Sequence, residues 1–194
     1  MKSSIPWRLL RGAQRGAAAV EMAVVSIPFF LMLFGAVEFG RMMYLLNTVQ
    51  EVTRSAARQA VVTDFSNAAA VAAVRRSAMF RLDDGVLPGA PELNTANINI
   101  RYLNGAGADA SPMPVDPSDN IAACLDATRT ASCIRFVEVC LSTGATCAPA
   151  QSVAFTPFTF FFTGSGYSRA DMTGVLVPMS TVRMPAESLG FQPS

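Results

Sequence analysis

An uncharged and almost wholly apolar stretch lies near the beginning of the chain, at residues 22–37, with Ser26 as its one polar residue. These 16 residues would form a helix about 24 Å long, shorter than the ~30 Å hydrocarbon core of a membrane. Extending the helix back to Ala17 gives about 31 Å, which would span, but it brings in Glu21. A carboxylate deep in a bilayer costs about 2.5–3.5 kcal/mol. Glu21 therefore either marks the boundary of the span or has a specific use.

Pro28 lies inside this apolar stretch. Proline removes one backbone hydrogen bond from a helix, so a kink is expected here. Such a kink is either simply tolerated, as it often is in membrane helices, or it serves as a flexible joint. We favour the first interpretation.

From Glu38 the pattern becomes that of an amphipathic helix. Glu38 and Arg41 are three residues apart and can pair on one face. Apolar residues then recur at helical spacing, with polar residues between them: Leu45, Val49, Val52, Ala56 and Ala60. Since no helix breaker intervenes, we expect one continuous helix to about residue 62, with the stripe facing a core. A second helix is predicted at residues 67–81, with Asp64 or Ser66 as its N-cap.

Beyond residue 82 the pattern is that of strands and turns. Residues 83–91 are predicted to be a loop, residues 97–102 alternate polar and apolar side chains, and residues 134–141 are expected to form a central strand. Residues 152–162 and 174–184 are further strand candidates. We therefore predict an α+β fold: a long N-terminal helix (transmembrane, then amphipathic), a second helix and a small antiparallel sheet stabilised by disulfides.

One segment, residues 155–162, is rich in phenylalanine. On the surface of a monomer it would favour aggregation. Two interpretations remain open. The segment either packs its rings onto the long helix or makes a contact between subunits.

The four cysteines lie within one segment of the second half of the chain: Cys124, Cys133, Cys140 and Cys147. Their spacings of 9, 7 and 7 residues do not resemble the paired cysteines of a zinc ribbon. An even number in an exported domain favours two disulfides, for which three pairings are possible. We prefer Cys124 with Cys133 and Cys140 with Cys147, each pair closing a short loop.

Charge is distributed unevenly along the chain. Residues 1–16 contain basic but no acidic side chains, whereas acidic residues outnumber basic ones from Asp83 onwards. The positive-inside rule places the N-terminus in the cytoplasm and the bulk of the chain outside the inner membrane. We expect a cytoplasmic leader at 1–16, a transmembrane helix at 17–39, a periplasmic helical region at 40–81 and a periplasmic α+β head at 82–194. A cleaved secretory signal peptide fits less well, because no small-x-small site follows the apolar stretch.

The sequence offers little for catalysis. It contains no histidine, which excludes histidine-based triads and histidine metal sites. The segment Gly164-Ser165-Gly166 does not fit a nucleophile elbow. We predict no catalytic residue, no metal and no cofactor. Nucleic acid is an unexpected partner, because the only lysine is Lys2 and no basic cluster occurs in the exported part.

Two blocks of the N-terminal half resemble a known family. The segment RGAAAVEMAVV begins at Arg15, and the segment FGAVEFGR ends at Arg41, with Pro28 between them. The first block is similar to the type III signal sequences that prepilin peptidases cut in type IV pilins and pseudopilins. Together the blocks resemble the TadE-like family of tight-adherence (Flp) pilus assembly proteins. Flp-type processing sites favour Glu-Tyr, and Met22 follows Glu21 here.

The resemblance implies a pseudopilin-like component of the tight-adherence machinery, anchored in the inner membrane. It implies cleavage after Gly16 by a prepilin peptidase, which would leave Ala17 as the new N-terminus. Glu21 would attract that free amine on a neighbouring subunit. The implied partners are the peptidase and other pilus or pseudopilin subunits. The alternatives are a TadF-like protein, a type II secretion pseudopilin or a membrane-anchored periplasmic domain unrelated to pili.

Overall fold

The computed structural model describes residues 10–158 and 174–191, with side chains described from Gly16 onwards. Within these residues, the α-helices and strands follow one another in this order: α1 (Leu10–Ala60), α2 (Ala68–Ala78), β1 (Val86–Leu87), β2 (Ala90–Asn94), β3 (Ile98–Leu103), α3 (Pro117–Leu125), β4 (Phe136–Leu141) and β5 (Thr181–Pro185). We call the described residues from 82 onwards the head.

The long helix α1 is continuous through both sequence patterns, as predicted. It runs for 51 residues and includes Pro28. The predicted apolar stripe of its second half is buried, with side chains between 0 and 2 % exposed: Leu45, Val49, Val52, Ala56 and Ala60. The prediction that this stripe faces a core is therefore confirmed.

The stripe packs against a three-stranded antiparallel sheet in the order β3-β4-β5. The central strand β4 directs Val137, Val139 and Leu141 into the core that it shares with α1. Alternate residues of β4, such as Glu138, lie on the opposite face, as the period of two in a strand requires. The predicted α+β class with a small antiparallel sheet is confirmed.

Helix α2 begins one residue later and ends three residues earlier than predicted. Its N-cap is Asn67, whose side chain accepts hydrogen bonds from the backbone N–H groups of Ala69 and Ala70; neither Asp64 nor Ser66 is the cap. Asp64 instead closes the preceding turn by accepting from Ser66 N at 2.8 Å. The helix ends at Ala78 because Phe80 takes a positive φ of 55°, and Arg81 N donates back to Arg76 O at 2.9 Å.

The segment between α2 and β3 differs from the predicted loop. It contains the antiparallel pair β1–β2, which turns at Pro88 and Gly89. Gly89 has a φ of 77°, a conformation that glycine adopts without a steric cost. The glycine and proline content indicated the turn correctly but concealed the two short strands on either side of it.

Two further strand predictions were too long. In residues 152–158 the structure has one isolated bridge, between Ala154 and Leu176, rather than a strand; residues 159–162 lie outside the described part of the chain. The last candidate, 174–184, contains the strand β5 only from Thr181. Helix α3 was not predicted, although Asp116 caps it by accepting from Asp119 N at 2.8 Å. Its nine residues are too few for a clear apolar period.

The four cysteines form two pairs, in the arrangement that the sequence analysis preferred. Cys124 pairs with Cys133, with Cα atoms 4.7 Å apart. Cys140 pairs with Cys147, with Cα atoms 5.7 Å apart. The first pair ties α3 to the segment that enters β4, and the second ties the end of β4 to the loop that follows.

Candidate functional site

Residues 16–37 of α1, which we call the apolar half, are not covered by the head. From Gly16 to Val37 no described side chain is buried, and Gly16, Ala17, Glu21 and Pro28 are all exposed. The segment Gly16–Ala60 contains an apolar window that is long enough to cross a membrane. A Cβ atom added to Gly16 would meet none of the described residues within 4 Å. Packing among the described residues therefore gives no reason for glycine at position 16.

The predicted roles of these residues concern partners and processing, and they stay predictions. Helix α1 continues on both sides of Pro28, so the proline does not end it; the expected kink also stays a prediction. What the structure adds is the boundary of the uncovered half. Burial begins abruptly at Glu38, whose side chain is only 1 % exposed.

Three charged side chains meet at this boundary, and we call Glu38, Arg41 and Glu92 the junction cluster. Arg41 Nε donates to Glu38 Oε2 at 3.4 Å, which confirms the pairing predicted from their spacing. Arg41 Nη1 donates to Glu92 Oε1 at 2.8 Å. The Glu92 side chain is 1 % exposed and that of Arg41 is 14 % exposed. Two carboxylates are thus buried around one guanidinium, at the place where α1 meets strand β2.

The junction cluster also holds the backbone of residues 155–158. Thr156 N donates to Glu92 Oε1 at 3.0 Å, and Phe158 N donates to Glu38 Oε1 at 2.6 Å. Arg41 Nη2 donates to Thr156 O. The guanidinium carbon of Arg41 lies 4.4 Å from the centre of the Phe155 ring, a cation–π contact. Three distant parts of the chain are therefore joined at one point.

These contacts also decide part of the question about the aromatic segment. Phe155 is 1 % exposed and belongs to the core cluster, so it packs as the first interpretation expected. Phe158 is 83 % exposed and does not. Residues 159–162 lie outside the described residues.

The chemistry of the junction cluster suits it to holding separate segments of the chain together. Buried carboxylates are stable when hydrogen-bonded to a guanidinium and to backbone N–H groups, and both kinds of donor are present. Glu92 Oε2 is buried and makes no hydrogen bond. Across the described residues, no group of three or more cysteine or acidic side chains is arranged to hold a metal ion.

A second ion-pair network lies on the opposite face of the sheet. Glu138 on β4 accepts from Arg101 on β3 at 2.9 Å and from Arg183 on β5 at 2.8 Å. Asp109 accepts from Arg101 at 2.9 Å, and this hydrogen bond raises the pKa of Arg101. Because the residues are direct partners in strand register, the network braces the three strands. It does not touch the uncovered half of α1.

The sequence indicated only one of the ion pairs in the junction cluster. The spacing of Glu38 and Arg41 revealed their pairing, but Glu92 directly follows the loop predicted at residues 83–91 and lies in a segment for which the sequence predicted no element. Its partner Arg41 is 51 residues away along the chain. The one available signal was a lone acidic residue between Pro91 and Leu93, and such a residue usually faces solvent.

The described residues combine two features: a long helix whose apolar half is uncovered, and a small α+β head that packs against the other half of that helix. Residues 16–58 match the model of the TadE-like protein family, which confirms the resemblance drawn from the sequence. The match begins at Gly16 and includes Glu38 and Arg41. It supports involvement in tight-adherence pilus assembly. Comparison with curated proteins gave no match, and comparison with solved structures gave none either.

Proposed function

We propose that this chain is a pseudopilin-like component of the tight-adherence pilus machinery, anchored in the inner membrane by α1 with its head in the periplasm. The observation that carries the proposal is that one family match covers both parts of α1. The TadE-like match, residues 16–58, includes the uncovered apolar residues up to Val37 and most of the buried stripe from Leu45 to Ala60. A helix of this kind can exchange lipid for the helices of neighbouring subunits without disturbing the head.

The proposed arrangement keeps the domain limits expected from the sequence. Residues 1–16 form a basic cytoplasmic leader, 17–39 span the membrane, 40–81 form the periplasmic helical region and 82–194 belong to the periplasmic head. A prepilin peptidase removes the leader after Gly16. The protein acts as an assembly component rather than as an enzyme, and it needs no cofactor.

Glu21 has a specific role in this proposal. Its carboxylate attracts the amine of Ala17 on a neighbouring subunit after the leader has been removed. In a bundle of apolar helices, such a pair offsets part of the cost of burying each charge. A single polar pair in an apolar interface also fixes the register of the helices. The partners are therefore other pilus or pseudopilin subunits.

The exposure of Gly16 allows a sharp test of processing. The variant Gly16→Val is compared with Gly40→Val, because a Cβ at either position meets nothing within 4 Å. Both variants are expressed in cells with and without the peptidase, and the mass of the membrane-bound chain is measured. We expect Gly16→Val to retain the leader while Gly40→Val loses it. Equal processing of both variants, or leader removal in cells without the peptidase, contradicts the proposal.

A further inference from the structure

The side chain of Phe158 lies outside the core, at the end of the head that adjoins the apolar half of α1. We call this end the base of the head. Phe158 is 83 % exposed, although its backbone is fixed by the hydrogen bond to Glu38. We propose that the Phe158 ring inserts into the boundary between lipid headgroups and acyl chains, so that the base of the head rests on the membrane. This inference rests on the proposed anchoring of α1.

The position of Phe158 along α1 is the first argument. Glu38 directly follows Val37, the last residue of the apolar stretch. Side chains of helical residues lean towards the N-terminus of the helix, so the Glu38 carboxylate lies on the side of the apolar stretch. Phe158 N is 2.6 Å from that carboxylate. The ring of Phe158 therefore lies close to the level at which the apolar stretch ends.

The second argument is that the carboxylates at this level are buried. An ionised side chain facing lipid is costly, yet Glu38 and Glu92 lie at the end of the apolar stretch. Both side chains are 1 % exposed and directed into the head, where Arg41 and backbone N–H groups donate to them. The outward positions carry aromatic rings instead, since Phe39 is 59 % exposed. The surface at this level therefore suits lipid and is continuous with the apolar half of α1.

The orientation of the head is the third argument, and it supplies a control. Thr53 on α1 contacts Ser180, just before β5, with 2.7 Å between the hydroxyl oxygens. The other end of β5 leads to Glu187, whose N–H donates to Val61 O at 3.3 Å. Strand β5 therefore runs away from the apolar half of α1.

Helix α3 lies at the far end of the head. Ala186 N donates to Arg135 O at 2.9 Å, and Asn120 of α3 accepts from Ile134 N at 2.8 Å. Leu125 at the end of α3 is 83 % exposed, the same fraction as Phe158. It is a matched control at the opposite end of the head.

The test uses tryptophan fluorescence of the full chain in phospholipid vesicles. The single native tryptophan is first replaced by Trp7→Phe. Phe158→Trp, Leu125→Trp and Phe30→Trp are then made separately in this background. Phe30 lies in the apolar half of α1 and reports on anchoring. Quenching is measured with lipids brominated near the glycerol, with lipids brominated near the end of the acyl chain to reach Phe30→Trp and, separately, with acrylamide in the aqueous phase.

We expect brominated lipid to quench the Phe158→Trp variant at least about twofold more than the Leu125→Trp variant, and acrylamide to show the opposite order. Lipid quenching of Phe30→Trp without quenching of Phe158→Trp overturns this inference and leaves the anchoring intact. If the indole of Phe158→Trp is shielded from both quenchers, protein rather than lipid covers it, which also overturns the inference. A lack of lipid quenching in Phe30→Trp contradicts the proposed anchoring itself.

Discussion

Arg41 Nη1 donates to Glu92 Oε1 at 2.8 Å, which joins the end of the apolar half of α1 to strand β2 of the head. The same guanidinium contacts Glu38 and the Phe155 ring. A single side chain therefore couples a helix that we place in the membrane to a head that we place outside it. If the helix tilts relative to the head, these contacts must break, or the segments that make them must move with the helix.

Removing the Arg41 guanidinium should destabilise the head strongly. Arg41→Met leaves two buried carboxylates without their cation, so we expect the free energy of unfolding to fall by about 3–5 kcal/mol. Hydrogen exchange of the β4 amides in the detergent-solubilised chain measures this change. The control is Arg129→Met, which removes an ion pair with Asp119 whose side chains are 38 % and 28 % exposed; because exposed ion pairs contribute little, its effect should be much smaller than that of Arg41→Met.

The coupling can be isolated by adding Glu92→Leu to the first variant. The double variant removes one of the two stranded carboxylates, so it should lose less stability than the sum of the two single variants. Additive losses would mean that Arg41 stabilises the head through packing on Phe155 rather than through charge.

Each disulfide should contribute measurably to stability. The pairs close short loops, with sequence separations of 9 and 7 residues, and the loop-entropy relation gives about 2–3 kcal/mol for each. We expect this loss for Cys124→Ala/Cys133→Ala and again for Cys140→Ala/Cys147→Ala, measured by the same hydrogen exchange. Stability that is unaffected by both replacements would show that the cysteines are not bonded in the native protein.

Tyr102 predicts a specific response to alkaline pH. Burial raises the pKa of its hydroxyl from 10.0 to about 12, so the folded state favours the neutral phenol. The resulting stability is fully present below pH 10.0, the unfolded pKa, and is lost as the pH rises towards about 12. Tyr102→Phe should remove this contribution to the pH dependence. Unfolding titrations across that range measure it, and an unchanged profile would contradict the assignment.

The same variant should cost little at neutral pH. The Tyr102 hydroxyl oxygen is buried and has no hydrogen-bond partner among the described residues, so removing it relieves a desolvated polar group. The ring itself is retained, and with it the contact to Phe65, whose centre lies 5.6 Å away. We expect Tyr102→Phe to be neutral or slightly stabilising at pH 7.

Glu21 should matter for assembly but not for the fold. It is exposed and remote from the head, so Glu21→Gln should leave hydrogen exchange of β4 unchanged. If its charge attracts the amine of a neighbouring subunit, the variant should reduce crosslinking between subunits in the membrane. Glu51→Gln is the matched control, because Glu51 is exposed on the second half of the same helix. Equal crosslinking in both variants would remove the proposed role.

The sequence predicted the parts of the fold that depend on periodicity. The stripe from Leu45 to Ala60 and the alternation at residues 97–102, which β3 overlaps, each extend over enough residues to give a clear signal. Short elements were missed or displaced, because capping by Asn67 or Asp116 depends on local hydrogen bonds that several neighbouring residues could have made. The pair Arg41–Glu92 could not be predicted from the sequence, since it connects a helix to a segment without a clear alternation of polar and apolar residues. Its position follows only from how the head folds onto α1.

The most direct test of the central claim is the intact mass of the chain purified from its own membranes, together with its N-terminal sequence. The account predicts a mature chain that begins at Ala17, and a longer form that retains the leader in cells lacking the prepilin peptidase. A membrane-bound chain that still carries residues 1–16 in normal cells would contradict the pseudopilin-like role. A chain that begins beyond Val37 would contradict the membrane anchor as well.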